Sequence, residues 1–347
     1  MGSLLARIAP NSTLSQLYPP TSKFDPERDM PDLSGKVVLV TGGNTGIGFH
    51  TVKQLLLKNA TVYLAARSPK KAKEAIEMLQ KDTGKTAIFL ELDLADLASV
   101  RRAAEAFLSQ ESQLDILFNN GGVMVTPPEQ LTAQNQDLQF GTNVTGHYFF
   151  TELLLPALTS SYEATKVPAR IINTSSDGHK QACAGTGIDF VSLIGGPARD
   201  AWLKKLSPSA AGWHVVSLLS TLRELTGFLC CRRLYGESKL GNILVSNYFS
   251  KKYPGVLVSC ALHPGSVRTE LQKHLPGLTQ RMLDIALPPP PMGAYTQLWA
   301  GTTATPEEIN GQYLIPWARV GKAEAIASSS KLEEETIEWL KEQVKGY

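Results

Sequence analysis

Three tyrosines of this chain each stand four positions ahead of a lysine, a spacing that could serve proton transfer. The pairs are Tyr162 with Lys166, Tyr235 with Lys239, and Tyr248 with Lys252. Residues i and i+4 lie on one face of an α-helix, so the ammonium group can sit near the phenol oxygen and stabilise its anion. Because the chain contains ten tyrosines, chance also produces such pairs, and the surrounding sequence must choose among the three.

A glycine-rich turn follows the first predicted strand. The segment "VLVTGGNTGIGFHTVKQLL" (38–56) carries Gly42, Gly46 and Gly48 between an apolar run and a helical pattern. Such glycines let the backbone turn sharply and approach a pyrophosphate, which the free N–H groups and dipole of a helix N-terminus stabilise. An ordinary glycine turn is the alternative, but the strand–turn–helix position favours a dinucleotide site.

The end of the second predicted strand indicates which dinucleotide would bind. The segment "LAARSPKK" (64–71) has no carboxylate to receive the ribose hydroxyls, and it places Arg67 just ahead of Lys70 and Lys71. A guanidinium can form a bidentate contact with a 2′-phosphate, so the sequence favours NADP(H) over NAD(H). The alternative is that Arg67 is a solvated residue at the start of the next helix.

The elements that must position these residues alternate between strands and helices. Apolar β-branched runs predict the strands, and helical stretches lie between them. Strands are expected over 36–41, 61–66, 86–92, 114–119, 170–175, 256–262 and 311–316, and helices over 46–58, 69–81, 97–109, 134–158 and 235–252. The alternation predicts an α/β fold, with a single doubly wound parallel-sheet (Rossmann) domain over 33–347 and an N-terminal arm over 1–32.

The composition argues against several classes of function. The chain has 347 residues, 43% hydrophobic content, a net charge of +2 and a pI near 8.2, so nucleic-acid binding is not expected. Its four cysteines are irregularly spaced, which predicts neither a disulfide framework nor a metal site. The N-terminus lacks the long apolar run of a secretory signal, so a cytoplasmic location is the expectation.

Two segments interrupt the alternation. Residues 193–233 form a long insertion before the last predicted helix, and their part 213–231 is mostly apolar but contains Arg223 and Glu224. The two charges argue against a membrane-spanning helix. They favour a lid over a substrate cleft, or a helix in peripheral contact with a membrane or a partner. The segment "LPPPPMG" (287–293) is expected to be a stiff, extended linker.

Taken in order, the motifs make the chain similar to the short-chain dehydrogenase/reductase family, in its retinol-dehydrogenase-like and fungal reductase branch. The matching motifs are "TGGNTGIG" (41–48), "LDL" (92–94), "NNGG" (119–122), "GTNVTGHYF" (141–149), "INTSS" (172–176), "YGESK" (235–239) and "HPGSVRTEL" (263–271). The resemblance implies that Ser176, Tyr235, Lys239 and Asn143 are catalytic. In it, Ser176 would hydrogen-bond the substrate oxygen, and Asn143 would fix a helix bend and a water that relays protons to Lys239.

The resemblance also implies which residues bind the cofactor. They are Gly42, Asn44, Thr45, Gly46, Ile47, Gly48, Arg67, Asp93, Leu94, Asn120, Gly121, Tyr235, Lys239, Pro264, Gly265, Val267 and Thr269. Asp93 would accept from the adenine amino group, and Asn120 would lie along the adenosine ribose. Val267 and Thr269 would hold the nicotinamide carboxamide and the phosphates. Gly121 departs from the alanine usual in this motif, and the long insertion is a second departure.

Sheet topology selects one of the three tyrosines. Ligands of an open α/β sheet bind beyond the carboxyl ends of its strands. Tyr162 precedes the fifth predicted strand and is expected at the opposite edge, while Tyr248 lies roughly 20 Å further along its helix than Tyr235. Tyr235 is expected at the start of that helix, beside the strand that carries Ser176.

The sequence therefore predicts an NADP(H)-dependent oxidoreductase that interconverts a carbonyl and an alcohol on an apolar small molecule. A catalytically silent NADP(H)-binding sensor or scaffold protein is the alternative, although such a protein would not need the complete serine, tyrosine and lysine set. A serine hydrolase is disfavoured because no GxSxG motif is present. No metal spacing joins His147, His179 and His263, which are expected to be structural.

Overall fold

One sheet forms the centre of the fold, and its strands follow the alternation in the sequence. The computed structural model describes residues 11, 12, 15, 16, 18–184, 187–206, 216–267 and 288–347. Within them the sheet has eight strands: β1 Val37–Thr41, β2 Thr61–Ala66, β3 Ile88–Glu91, β4 Ile116–Asn119, β5 Ala169–Thr174, β6 Leu257–Leu262, β7 Tyr313–Ile315 and β8 Arg319–Gly321.

The strand order is β3-β2-β1-β4-β5-β6-β7-β8. Strands β1 to β7 are parallel, and β8 pairs with β7 in the antiparallel sense. The chain runs outward from β1 to β3 and then returns to β4 on the other side of β1, which creates a topological switch point where ligands of such sheets bind. The predicted doubly wound parallel sheet is confirmed, and β8 is a strand that the sequence did not indicate.

Helices cover both faces of the sheet, as the continuous apolar character of its strands requires. They are α1 Gly46–Leu57, α2 Pro69–Thr83, α3 Leu97–Leu108, α4 Gly146–Thr165, α5 Pro197–Leu206, α6 Val216–Lys252 and α7 Ser330–Val344. Local signals set their ends. The Ser68 side chain accepts from the Lys71 N–H to cap α2, and Gly84 ends that helix with a φ of 71°.

The helix predicted over 134–158 is divided and ends later. A helical turn over Leu138–Phe140 and a π turn over Gly141–Thr145 precede α4. Helix α4 then continues past Pro156 and ends where Lys166 adopts a φ of 58°. Tertiary packing of the buried face outweighs the local cost of the proline, which the sequence pattern alone could not weigh.

The helix that carries Tyr235 begins earlier than the sequence predicts. The prediction was 235–252, whereas α6 begins at Val216 and runs for 37 residues. The extension is residues 216–234, and most of them are residue types compatible with a helix. The second half of the insertion therefore forms the first part of α6. Tyr235 therefore lies in the helix interior, about 28 Å from its first residue. Although α6 is long, no helix in the described part of the chain has the length and apolar character needed to cross a membrane.

The first part of the insertion is tied to the helix that leads to Asn143. Arg199 of α5 is buried, and its guanidinium donates to the Asp137 carboxylate and to the Pro128 carbonyl, both at 2.8 Å. The other Asp137 oxygen accepts from the first N–H groups of the turn Leu138–Phe140. The ion pair therefore holds both α5 and a helix start. Residues 207–215 lie outside the described ranges, and the proposed lid stays a prediction.

The C-terminal part differs from the extended linker predicted over 287–293. Pro290–Gly293 form a helical turn that begins with prolines, and a first-turn proline is tolerated because its missing N–H would have no partner there. Gly293 packs closely against Ile47 and Val267. This turn therefore lies against the start of α1.

The described part of the N-terminal arm packs onto the domain. Phe24 and Met30 are buried, in the apolar cluster on the α1 side of the sheet. The side chain of Asn11 accepts from the Lys322 N–H at 2.8 Å, just after β8. The Lys58 ammonium also donates to the Glu27 carbonyl at 2.8 Å. The arm is thus held by apolar burial and by several hydrogen bonds.

Replacing Arg199 with Met should lower the free energy of unfolding by about 3–5 kcal/mol, because a buried carboxylate would lose its charged partner. Burial already acts to raise the pKa of Asp137, and the guanidinium opposes that shift. Urea unfolding measures the change. Lys53→Met breaks the exposed pair with Asp82 and should change stability little. Equal effects of the two substitutions would contradict the assignment.

Candidate active site

Ser176 and Tyr235 meet beyond the carboxyl end of β5. The segment Asp177–Ala184 follows Ser176 and crosses α6 so closely that a β-carbon on Gly178 would lie 2.9 Å from the Tyr235 ring. The Ser176 hydroxyl accepts from the Gly178 N–H at 3.0 Å. Burial raises the pKa of the Tyr235 phenol, and the Ser176 side chain acts to lower it. The phenol therefore carries its proton at neutral pH.

Lys239 lies one turn further along α6 and is buried. Its ammonium nitrogen donates to the Thr174 carbonyl at 3.0 Å and lies 5.6 Å from the centre of the Tyr235 ring. Burial lowers the pKa of Lys239 to about 8. The group is therefore still mostly cationic at pH 7, within a dry environment where its charge acts strongly on its neighbours.

Asn143 lies in the π turn, which is the expected bend in the helix. Its side-chain oxygen accepts from the Val123 N–H at 2.8 Å. Its side-chain nitrogen donates to the Val123 carbonyl and to the Ser238 hydroxyl, each at 3.0 Å. Asn143 thus joins the loop after β4 to α6, close to the backbone between Tyr235 and Lys239.

The geometry of the tyrosine–lysine pairs does not by itself distinguish them. The distance from lysine Nζ to the ring centre is 5.6 Å for Tyr235, 5.8 Å for Tyr162 and 5.1 Å for Tyr248. Tyr162 lies near the end of α4, and the lysine beside Tyr248 also pairs with Glu152 at 2.7 Å. Of the three, Tyr235 alone has Ser176 beside it, and its choice as the catalytic tyrosine stays a prediction.

The glycines after β1 create a cradle where two loops touch. Gly42 has a φ of 65°, and a β-carbon there would lie 2.8 Å from the Gly121 α-carbon. A β-carbon on Gly48 would overlap the Gly42 carbonyl and approach the Asn120 amide at 2.7 Å. Thr45 makes no side-chain cap on α1. The first N–H groups of this helix are therefore left for another acceptor, as a phosphate would require.

The other residues predicted at this end lie on the same rim. Arg67 directly follows β2, is exposed, and makes no ion pair or hydrogen bond within the described ranges. Asp93 is partly exposed after β3, and its carboxylate accepts from the Ala95 N–H at 3.0 Å. Leu94 is buried beside Gly121. Asn44 and Ile47 occupy the turn and the first helical residues between the glycines.

A buried contact between Thr41 and His147 was missed by sequence reasoning. The Thr41 hydroxyl accepts from the N–H groups of Asn120 and Gly121, at 2.9 and 2.8 Å. It also lies 2.8 Å from Nε2 of His147, whose Nδ1 lies 2.9 Å from the Asn143 carbonyl. Burial lowers the pKa of His147 to about 4. The neutral ring therefore donates from Nδ1 and accepts from Thr41, which links the end of β1 to the π turn that carries Asn143.

Gln297 is a second residue that the sequence did not single out. It is fully buried in the turn Tyr295–Leu298, and its side-chain oxygen accepts from the Thr174 hydroxyl at 3.2 Å. Its amide nitrogen donates to the Thr51 hydroxyl of α1 and to the Asn120 side chain, the latter at 3.4 Å. It therefore connects the end of β5, which also accepts from Lys239, with α1 and with the loop after β4.

The segment after β6 carries the last group of predicted cofactor residues, and the structure describes part of it. Gly265 has a φ of 91°, and a β-carbon there would lie 2.7 Å from the Trp317 ring, so glycine is required. Pro264 precedes it, and Val267 is buried against Gly293. Thr269 lies outside the described residues.

Known proteins resemble this chain along most of its length. A model of the family described as short chain dehydrogenase matches residues 36–188. A short-chain dehydrogenase/reductase of Armillaria gallica is 48% identical over 337 residues, covering 97% of this chain and 98% of that protein. One of Phomopsis amygdali is 34% identical over 354 residues, covering 96% of each. The chain belongs to the short-chain dehydrogenase/reductase family. The predicted resemblance is confirmed.

Solved structures share the fold of this family member. A Shigella flexneri short chain dehydrogenase complexed with NADP has a TM-score of 0.57 at 19% identity, over 82% of this chain and 98% of that one. The RhlG/NADP active-site complex of Pseudomonas aeruginosa has a TM-score of 0.57 at 23% identity, over 83% and 96%. The Rossmann-type fold is thereby confirmed, and the family makes the chain an oxidoreductase.

His263 stands at the end of β6, next to the segment just described. It is 5% exposed, and its Nδ1 has no hydrogen-bond partner among the described residues. Burial lowers the pKa of His263 from its usual 6.5 to about 4. The unfolded chain therefore binds a proton at higher pH than the folded one, and stability must fall as the pH drops from about 6.5 towards 4.

Replacing His263 with Leu should remove this part of the acid sensitivity. At pH 7 the variant should be about as stable as the parent, because the buried ring is neutral and Nδ1 loses no bond. At pH 5 the free energy of unfolding of the variant should exceed that of the parent by about 2 kcal/mol. Urea unfolding at the two pH values measures this difference. Parallel pH dependence of variant and parent would show that His263 titrates normally.

Proposed function

We propose that the protein is an NADP(H)-dependent oxidoreductase that interconverts a carbonyl and an alcohol on an apolar small molecule. Tyr235 is the proton donor or acceptor. What carries the proposal is the convergence of Ser176 and Lys239 on this tyrosine, at the carboxyl edge of the sheet and beside the glycine cradle. Carbonyl reduction needs a proton donor and a hydrogen-bond donor at the substrate oxygen. The phenol and the serine hydroxyl would fill these roles, while the buried ammonium would act on the phenol.

The cofactor would lie across the switch point of the sheet. Gly42 and Gly48 leave space for a pyrophosphate, Arg67 would meet the 2′-phosphate, and Asp93 and Asn120 would meet the adenosine. When bound, NADPH supplies a hydride to the substrate carbon. The two solved neighbours named above are NADP complexes, which supports the same cofactor for this chain.

The protein's own part in the reaction is to hold the substrate oxygen and move its proton. The Ser176 hydroxyl would hydrogen-bond that oxygen while the Tyr235 phenol donates its proton to it. A neutral phenol is ready to donate, so burial of Tyr235 favours the reduction of a carbonyl. For oxidation, the phenol must lose its proton; lowering the pKa of a free phenol from about 10 to about 7 requires roughly 4 kcal/mol, to which the Lys239 ammonium would contribute. Asn143 would hold the water that returns protons to Lys239.

The substrate is proposed to be apolar because of the chain that surrounds the site. Residues 213–231 of the insertion are mostly apolar, and the Trp317 ring packs on Gly265 at the end of β6. A lid formed by the insertion would exclude water from the reacting oxygen, which strengthens every charge interaction there.

Changing Tyr235 to Phe should lower turnover by at least about a hundredfold, because the ring stays while the proton donor is lost. The measurement is NADPH absorbance with a panel of aldehydes and ketones, together with NADPH binding by fluorescence, which should be retained. Tyr162→Phe and Tyr248→Phe are matched controls from the same sequence pattern, and their turnover should stay near that of the parent.

Two outcomes would count against the proposal. Near-normal turnover of Tyr235→Phe would remove this residue from the mechanism. A parent protein that binds NADPH tightly and reduces no member of the panel would instead support the silent NADP(H)-binding sensor.

Changing Arg67 to Ala should weaken NADPH binding by roughly tenfold or more and leave NADH binding nearly unchanged, because only NADPH carries the 2′-phosphate. Dissociation constants for both cofactors measure the effect. Lys73→Ala removes an exposed cation from the following helix and serves as the control. If binding of the two cofactors falls equally, Arg67 is a surface residue with no role in selecting between them.

A further inference from the structure

The strand end that carries Ser176 is held by a buried histidine. His179 lies in the segment Asp177–Ala184 and is fully buried. Its Nδ1 lies 2.7 Å from the main-chain carbonyl oxygen of Ser176. Its main-chain N–H donates to that same oxygen at 3.1 Å. Both contacts fall on the residue whose hydroxyl is proposed to bind the substrate oxygen.

The hydrogen bonds of this ring define its protonation state. A carbonyl oxygen can only accept, so Nδ1 carries the hydrogen that it receives. On the other side of the ring, the main-chain N–H of Glu324 donates to Nε2 at 3.1 Å, so Nε2 is unprotonated. The ring is therefore the neutral Nδ1–H tautomer. Burial lowers the pKa of His179, in agreement with a neutral ring.

The surroundings of the ring hold it in this orientation. The Tyr313 ring of β7 packs edge-on at 5.0 Å between centres, and its hydroxyl lies 3.4 Å from Nδ1. Within the described part of the chain, charged or titratable groups face the ring from several elements. They are Asp177 and Lys180 from its own segment, Tyr313 from β7, Glu324 from the segment after β8, and His263 from the end of β6.

The position of the Ser176 hydroxyl depends on the hydrogen bond from His179 to the Ser176 carbonyl, because the surrounding backbone is closely packed. Gly178 touches the Tyr235 ring, and a β-carbon on Gly236 would lie 2.8 Å from the Gly178 carbonyl. A small rotation of the Ser176 peptide would therefore move its hydroxyl relative to Tyr235 or force the segment against α6. A misplacement of about 1 Å in such a site can cost roughly a hundredfold in rate.

We infer that His179 is a positioning residue, which holds the Ser176 backbone so that the serine hydroxyl and the Tyr235 phenol face one substrate oxygen. The inference rests on the proposed function, since it assigns a role in the same reaction. In this role, His179 does not contact the substrate or the cofactor. Its effect on the rate must therefore pass through Ser176.

A double-mutant cycle tests that dependence. His179→Phe should lower kcat about tenfold to a hundredfold for any carbonyl that the parent reduces, while the Kd for NADPH is unchanged. In a Ser176→Ala background the same substitution should change kcat by less than about threefold, because the group that it positions is already absent. Additive losses in the cycle, or an unchanged kcat for His179→Phe, would overturn the inference.

Two conservative variants separate positioning from general packing. His179→Asn places an amide donor where Nδ1 lies, so it should retain most of the turnover. His179→Gln places its amide near Nε2 instead, so it should resemble His179→Phe. His50→Asn, on the half-buried face of α1, is the control for loss of an imidazole. If kcat for all four variants follows their thermal stability instead of this order, His179 has only a structural role.

A measurement without substrate keeps the inference testable if the parent reduces no carbonyl. Nitrogen-15 NMR of the histidine rings at pH 7 should show His179 with a protonated Nδ1 and an unprotonated Nε2, assigned by its loss in His179→Asn. The opposite tautomer would mean that the ring does not donate to Ser176, and would overturn the inference whatever the activity. Absence of activity with the expected tautomer would count against the proposed function alone.

Discussion

The docking of α6 onto the end of β5 is the constraint on which the site depends. Lys239 is buried, and a charge removed from water must be hydrogen-bonded to be tolerated. Its ammonium donates to the Thr174 carbonyl at 3.0 Å, and the Asn242 amide donates to the same oxygen at 3.0 Å. In return, the Ser175 hydroxyl donates to the Lys239 carbonyl at 2.7 Å. These bonds fix the rotation of the helix, and with it the direction of Tyr235 one turn earlier.

The same strand end is coupled to the cofactor side through buried polar groups. Gln297 accepts a hydrogen bond from the Thr174 hydroxyl and donates to side chains of α1 and of the loop after β4. The Thr41 hydroxyl accepts from two N–H groups of that loop and donates to His147. His147 in turn donates to the Asn143 carbonyl. Buried polar groups are costly unless paired, so a shift in one loop would leave groups in the others unsatisfied. The residues proposed for catalysis and for cofactor binding are therefore positioned as one unit.

Sequence reasoning succeeded where a signal is local or follows from topology. The strands follow from apolar runs, and the close turn after β1 follows from the spacing of Gly42, Gly46 and Gly48. The choice of Tyr235, made from the rule that ligands lie beyond strand ends, stays a prediction. It failed where long-range contacts decide. Thr41 and His147 are 106 residues apart, and no pattern in either segment predicts the hydrogen bond between them. The start of α6 was missed because the extension reads as an insertion with no clear helix boundary.

The correction to α6 changes how a phenolate at Tyr235 could be stabilised. At the start of a helix, the positive end of the helix dipole would lower the pKa of the phenol. That effect falls off within the first turn, and Tyr235 lies about 28 Å from the first residue of α6. The interior position leaves stabilisation to nearby charges, while burial pushes the pKa upward. The Ser176 side chain acts to lower this pKa. In the proposed reaction, a proton acceptor at this position would depend on that hydroxyl together with the charge of Lys239, so the lysine would have to remain cationic for the reaction to run in both directions.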